Sequence, residues 1–133
     1  MKKLLFVFFS LVLVACATTG AKMESKSYRF VKYNDWVVMP VYASAERMPV
    51  LRFDADMRIT GVICNVFNGP ADLTDGLLKA QLASTMMFCP DAELNQAESA
   101  FYAALNQGAT VKTSGNTLTI THGDNTFILE RIK

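Results

Sequence analysis

Val50-Leu-Arg-Phe-Asp-Ala-Asp-Met-Arg-Ile-Thr-Gly61 is the segment that decides the fold. Leu51, Phe53, Ala55, Met57 and Ile59 alternate with Arg52, Asp54, Asp56 and Arg58. A period of two gives a strand one buried face and one wet face. Asp54-Ala55-Asp56 puts turn formers in the middle of the run. The segment therefore predicts a tight antiparallel hairpin of residues 50–53 and 57–63.

Downstream of the hairpin, Asn68-Gly69-Pro70 reads as a break and Asp75-Gly76 as a turn. Leu78, Ala80 and Leu82 alternate with Lys79 and Gln81, which predicts another strand. Pro90 and Asp91 open a helix over residues 91–107. Leu94, Ala97, Phe101, Ala104 and Leu105 share one of its faces, and Glu93 and Glu98 favour the positive end of its dipole. Gly108 is placed to end it in the left-handed conformation. Three β-branched runs follow, Thr110–Thr113, Thr117–Thr121 and Thr126–Ile132, joined by Ser114-Gly-Asn116 and Gly123-Asp-Asn125. Upstream, Trp36–Tyr42 is strand-like but carries Pro40, which marks an edge or a broken strand. Tyr28–Tyr33 reads as an edge strand, with the end of the linker, or a contact of its two basic residues and three aromatics with lipid headgroups, as the alternatives. The fold class is mainly β (α+β): a small antiparallel domain with one helix inserted before the C-terminal strands.

The start of the chain addresses location. Lys2 and Lys3 precede an apolar run, Leu4–Phe9 and Leu11–Ala15, broken only by Ser10. A basic start, a short apolar stretch and small residues before a cut site make a secretory signal over residues 1–15. The run falls short of the roughly 20 residues that span a bilayer. Leu13-Val14-Ala15-Cys16 resembles a bacterial lipobox, in which Cys16 would receive the lipid. Residues 16–27 then read as the lipidated cysteine and a flexible tether, with the domain over 28–133. Ala17 is not the aspartate that holds many lipoproteins at the inner membrane, which favours an outer-membrane anchor facing the periplasm.

Removal of residues 1–15 leaves 118 residues, with 11 basic and 12 acidic side chains. One domain with a modest core suits that length. No basic block remains, so nucleic acid is not an expected partner. Cys64 and Cys89 remain after Cys16. In an oxidising compartment such a pair forms a disulfide, with two buried free thiols as the alternative. Closing that loop would contribute about 3.5 kcal/mol in the chain-entropy account.

Catalytic chemistry is thinly represented. His122 sits beside Gly123-Asp124, where turn formation explains it. Ser84-Thr85 has neither a nucleophile elbow nor a second histidine to serve as base. Asp54, Asp56, Asp72 and Asp75 could pair as glycosidase carboxylates do, but each stands near a turn. Asp54-x-Asp56 lacks the glycine and terminal glutamate of a calcium loop, and the thiols with one distant histidine make no zinc set. No glycine-rich phosphate loop is present. The expectation is a non-enzymatic protein with no cofactor and no metal site. Met86-Met87-Phe88 is an apolar, adaptable cluster and reads as core filling, with an adaptable binding surface as the alternative.

Several segments together resemble the META domain family, which includes the bacterial HslJ-like lipoproteins. Val50–Gly61 followed by Cys64-Asn65-x-Phe67-x-Gly69 is similar to its first signature. Leu82-Ala-Ser-Thr-Met-Met-Phe-Cys89-Pro is similar to its second, with the helix and Phe101 next. Val111-x-x-x-Gly115-Asn-x-Leu118-x-Ile120 fits its ending. The resemblance covers residues 35–133. It implies a small antiparallel β barrel-like domain with a helix packed against it. It also implies a Cys64–Cys89 bond and an association with heat response and novobiocin resistance. Ile63 stands where the family usually has glycine, and Met86 where it tends to have a basic residue. Both departures are expected to make that surface more apolar. The expected role is binding or stabilising an envelope protein. A small apolar ligand held in a barrel cavity and inhibition of a periplasmic enzyme are the alternatives.

Overall fold

A computed structural model describes residues 25–38 and 48–133. The signal segment, Cys16, most of the tether and the second half of the Trp36–Tyr42 run lie outside the described residues. The elements are β1 (Lys26–Tyr33), β2 (Trp36–Val37), β3 (Val50–Phe53), β4 (Arg58–Val62), β5 (Val66–Thr74), β6 (Leu77–Ala80), β7 (Ala83–Ser84), α1 (Ala92–Gln107), β8 (Ala109–Ser114), β9 (Thr117–His122) and β10 (Asn125–Ile132).

The predicted hairpin forms as β3 and β4, in a register from Val50↔Val62 to Phe53↔Ile59. Its turn is held by Asp54, whose Oδ1 accepts from the backbone N–H of Asp56 (2.9 Å) and of Arg58 (2.8 Å). Asp54 is thus committed to turn formation. From this hairpin the strands run β3-β4-β5-β6-β8-β9-β10, and β1 joins β10 back to β3. The result is a closed eight-stranded antiparallel barrel, with α1 as its single helix.

Three expectations change. β1 is not an edge strand: it pairs with β3 through residues 26–29 and with β10 through residues 27–33. It begins at Lys26. A bulge between Phe30 and Lys32 shifts the inward face from Tyr28 and Phe30 to Tyr33. Tyr33 then stacks on Phe127 at 5.0 Å.

Asn68-Gly69-Pro70 does not break the chain but lies inside β5. Pro70 opposes Arg58 in the β4 ladder. Gly69 is inward and buried, and a β-carbon there would overlap the Gln81 carbonyl. Glycine thus marks a close backbone approach rather than a break. The turn after β5 is as expected, with φ 54° at Asp75 and 74° at Gly76.

The helix matches its expected span closely. Asp91 caps it by accepting from Leu94 N–H at 2.9 Å. Gly108 closes it, but at φ 108° and ψ 119° rather than in the left-handed helical region. Its N–H still satisfies the Ala104 carbonyl at 2.8 Å. His122, the last residue of β9, places Nδ1 2.9 Å from the Gly108 carbonyl oxygen and Nε2 3.0 Å from the Gln107 amide. It ties the helix end to the barrel.

α1 turns Leu94, Ala97, Phe101, Ala104 and Leu105 inward. Phe101 reaches rings from three strands: Phe30 of β1 at 5.2 Å, Phe67 of β5 at 5.7 Å and Phe127 of β10 at 5.3 Å. All four rings are essentially inaccessible to solvent. Leu51, Ile59, Leu78, Leu118, Ile120 and Leu129 complete the packing. The barrel interior is filled by its own side chains, with the helix as a plug.

Candidate functional site

Residues 85–91 connect β7 to α1, and this connection carries the most exposed large apolar side chains among the described residues. β7 is short because it meets β5 only at Phe67↔Ser84 and Asn68↔Ala83. Thr85 N–H continues the contact to the Val66 carbonyl at 3.0 Å, and Val66 N–H donates to Thr85 Oγ1 at 3.0 Å. The chain then leaves the sheet. Met86, Met87 and Phe88 stand 96%, 61% and 86% exposed, with Val66 exposed beside Thr85. The expectation that this triplet fills the core is therefore wrong. Pro90 and the Asp91 cap hold the following segment at the start of the helix, and among the described residues no layer covers the triplet.

A buried polar node supports the loop from beneath. Asn65 and Glu98 are only 6% and 5% exposed, the two buried polar side chains among the described residues. Glu98 Oε2 accepts from the backbone N–H of Cys64 (2.8 Å) and of Asn65 (2.6 Å). Its Oε1 accepts from Asn65 Nδ2 at 2.7 Å. Asn65 Oδ1 in turn accepts from Met87 N–H at 2.6 Å and from Thr85 Oγ1 at 3.1 Å. A helix side chain thus fixes the turn after β4, and that turn fixes the exposed loop. Buried polar groups are costly unless paired, and here the pairing positions a surface segment.

The Cys64–Cys89 disulfide is the second clamp, with Cα atoms 6.0 Å apart. It joins the turn after β4 to the entry of α1, so the loop is held at both ends. Ile63 does not add to the surface as expected: it is buried in the core, whereas Met86 is fully outside.

Tyr102 lies behind the node. Its ring meets Phe67 edge-on at 5.5 Å. Its hydroxyl is buried near Ser84 and Glu98 and makes no hydrogen bond of ordinary length. Burial, and then the charge of Glu98, hold the phenol well above its ordinary pKa of 10.0.

The other residues weighed for chemistry are scattered. Asp72 accepts from Thr74 Oγ1 at 3.0 Å in the strand preceding the Asp75 turn. Asp54 and His122 serve the turn and helix end described above. Ser84 is a β7 ladder residue. Glu98 was legible only as a helix-dipole residue, although its place one turn after Leu94 and just before Phe101 puts it on the buried face.

Comparisons with known proteins agree with this architecture. Residues 15–132 match the META domain family. The chain is 31% identical over 122 residues to the heat shock protein HslJ of Escherichia coli (strain K12), covering 86% of this chain and 84% of that one. A protein solved by NMR superposes with a TM-score of 0.71 at 29% identity, covering 79% of this chain and 87% of that one. A second NMR structure, from Burkholderia xenovorans, shares the fold with a TM-score of 0.59 at 22% identity, covering 80% and 81%. From the family match over nearly its whole length, the chain belongs to the META domain family.

Proposed function

We propose that this protein is a non-enzymatic, lipid-anchored envelope protein whose barrel offers the Met86-Met87-Phe88 loop to a protein partner. The observation that carries this reading is the exposure of three consecutive large apolar side chains on a loop clamped at both ends. Apolar side chains left in water on a clamped loop are characteristic of interaction sites. Methionines suit such a surface because they adapt to the partner. Holding the loop in place before contact lowers the ordering cost of binding. The signal-like start and Cys16 support an address in the envelope, anchored in the outer membrane and facing the periplasm. The relative named as a heat shock protein supports a role in stress.

The alternative of a small ligand inside the barrel is disfavoured by Phe30, Phe67, Phe101 and Phe127, which occupy that space. An inhibitor that carries polar residues into an enzyme cleft is disfavoured by the apolar character of the exposed loop.

The test is site-specific photocrosslinking in intact cells, with the crosslinker at position 86 or 88 and mass spectrometry of the products. A discrete protein adduct is expected from both positions and none from position 112 on β8. Absence of adducts at 86 and 88, or the same adducts at 112, would overturn the reading.

A further inference from the structure

The opposite end of the barrel carries charge instead of apolar surface. An open cleft of about 520 Å³ is lined by Ser25, Lys26, Arg52, Asn116, Arg131 and Lys133 among others, and none of the described residues that line it carries an acidic side chain. Three strand ends meet there, because Lys26 pairs with Phe53 and Ser27 pairs with both Arg52 and Ile132. Glu130, the acid on β10, is already engaged by Arg29 at 2.6 Å. Asp54 of the adjoining turn spends one carboxylate oxygen on Asp56 and Arg58 N–H. β3 spans the two surfaces: its Phe53 end meets Lys26, and its Val50 end meets Val62, next to Cys64 and the apolar loop.

The chain enters the barrel at this basic end. Ser25 lines the cleft and stands nine positions after Cys16. Even fully extended, that length of chain spans only about 30 Å. A lipid at Cys16 would keep the basic end within that distance of the bilayer.

We propose that the end bearing Lys26, Arg52, Arg131 and Lys133 docks on anionic phospholipid headgroups. This rests on the anchor reading of Cys16 and adds to it an orientation. Basic side chains near an anionic bilayer are drawn to it with an energy that salt screens. Docking at this end turns the Met86–Phe88 loop away from the membrane, toward the periplasm and its partner.

The test uses the mature chain carrying Cys16→Ser, so that no acyl chain holds it. It is sedimented with vesicles of phosphatidylethanolamine and phosphatidylglycerol, and separately with vesicles of phosphatidylcholine alone. Partitioning onto the anionic vesicles is expected to exceed the neutral ones by at least about tenfold and to collapse in high salt. Lys26→Gln with Arg52→Gln should lower it about thirtyfold, at about 1 kcal/mol per basic side chain. Lys79→Gln on β6, outside the cleft, should leave it unchanged. Equal partitioning onto both vesicles, or a double variant that binds like its parent, overturns the proposal. So does full displacement by inorganic phosphate at an ionic strength where chloride has little effect, which would mark a free-anion site. If native Cys16 proves unlipidated while anionic vesicles are still bound, the anchor fails and the docking face stands.

Discussion

Replacing Glu98 with alanine should be far more damaging than the loss of any other acidic side chain among the described residues. Its carboxyl accepts three N–H groups, from the Cys64 and Asn65 backbone and from Asn65 Nδ2. The residue is only 5% exposed, so water cannot freely replace the lost acceptor. An unpaired buried donor costs about 1–3 kcal/mol. Three of them, with some water admitted near the turn, amount to about 3–5 kcal/mol, set against about 5–15 kcal/mol for a whole domain. Glu98→Gln should be milder, at about 1–2 kcal/mol, because its oxygen can still serve the two backbone donors. Its amide would then face Asn65 Nδ2, whose partner oxygen is already committed to Met87 and Thr85. Urea unfolding followed by Trp36 fluorescence measures the stability change. Chymotrypsin cleavage after Phe88 reads the loop and should accelerate in Glu98→Ala. Glu93→Ala, exposed in the first helical turn, is the control and should stay within about 0.5 kcal/mol. If Glu98→Ala matched that control in both assays, the supporting role assigned to the Asn65–Glu98 node would be refuted.

Phe101→Ala should cost about 3–5 kcal/mol, since it empties the junction of three strands beneath the helix. Tyr102→Ala should cost less, because that ring is half-buried, and the reverse order of melting temperatures would contradict the helix phase. Tyr102→Phe removes a hydroxyl without an ordinary hydrogen bond and should leave neutral-pH stability unchanged or raise it by up to about 1 kcal/mol. The raised phenol pKa costs the fold nothing below pH 10.0, the unfolded value; above it the unfolded chain ionises first, and stability is lost as pH climbs toward the folded value. Stability of the parent should therefore decline more steeply above pH 10.0 than that of Tyr102→Phe, and parallel declines would contradict the assignment. Reducing the disulfide, or Cys64→Ser, should cost about 2–4 kcal/mol in urea unfolding, and a change below the error of the fit would mean the clamp contributes nothing.

The parts of this fold that are legible in the sequence are those whose signals are local. The alternation of Leu51, Phe53 and Ile59 specifies β3 and β4 because side chains point to opposite faces at every step. The helix carries its own cap at Asp91 and its own apolar spacing. Closure of the barrel is legible only through the family resemblance and not from local signals, because β1 pairs with β10 across nearly the full domain and neither strand encodes the other. Gly69-Pro70 misleads for a physical reason. The pair usually breaks a strand, yet here glycine admits the Gln81 backbone within a continuous β5. Met86-Met87-Phe88 shows that apolar composition does not by itself place a residue inside. The nearby signal was the Cys89-Pro90-Asp91 sequence, which commits the segment to a capped loop. Glu98 was readable in principle, since Leu94, Glu98, Phe101 and Leu105 lie along one stripe. A carboxylate on that stripe needs buried donors, and those come from a turn far away in sequence.

On the proposed reading, the apolar loop stands open in the isolated protein and is covered by a partner in the envelope. Brief hydrogen peroxide treatment followed by peptide mass spectrometry measures it directly, because exposed methionines oxidise to sulfoxides. Met57, half-exposed in the β3–β4 turn, is the internal reference. In the purified protein Met86 and Met87 should oxidise faster than Met57, and in intact cells their rates relative to Met57 should fall severalfold. Slow oxidation of Met86 in the purified protein, or ratios that are the same in both settings, would contradict the account.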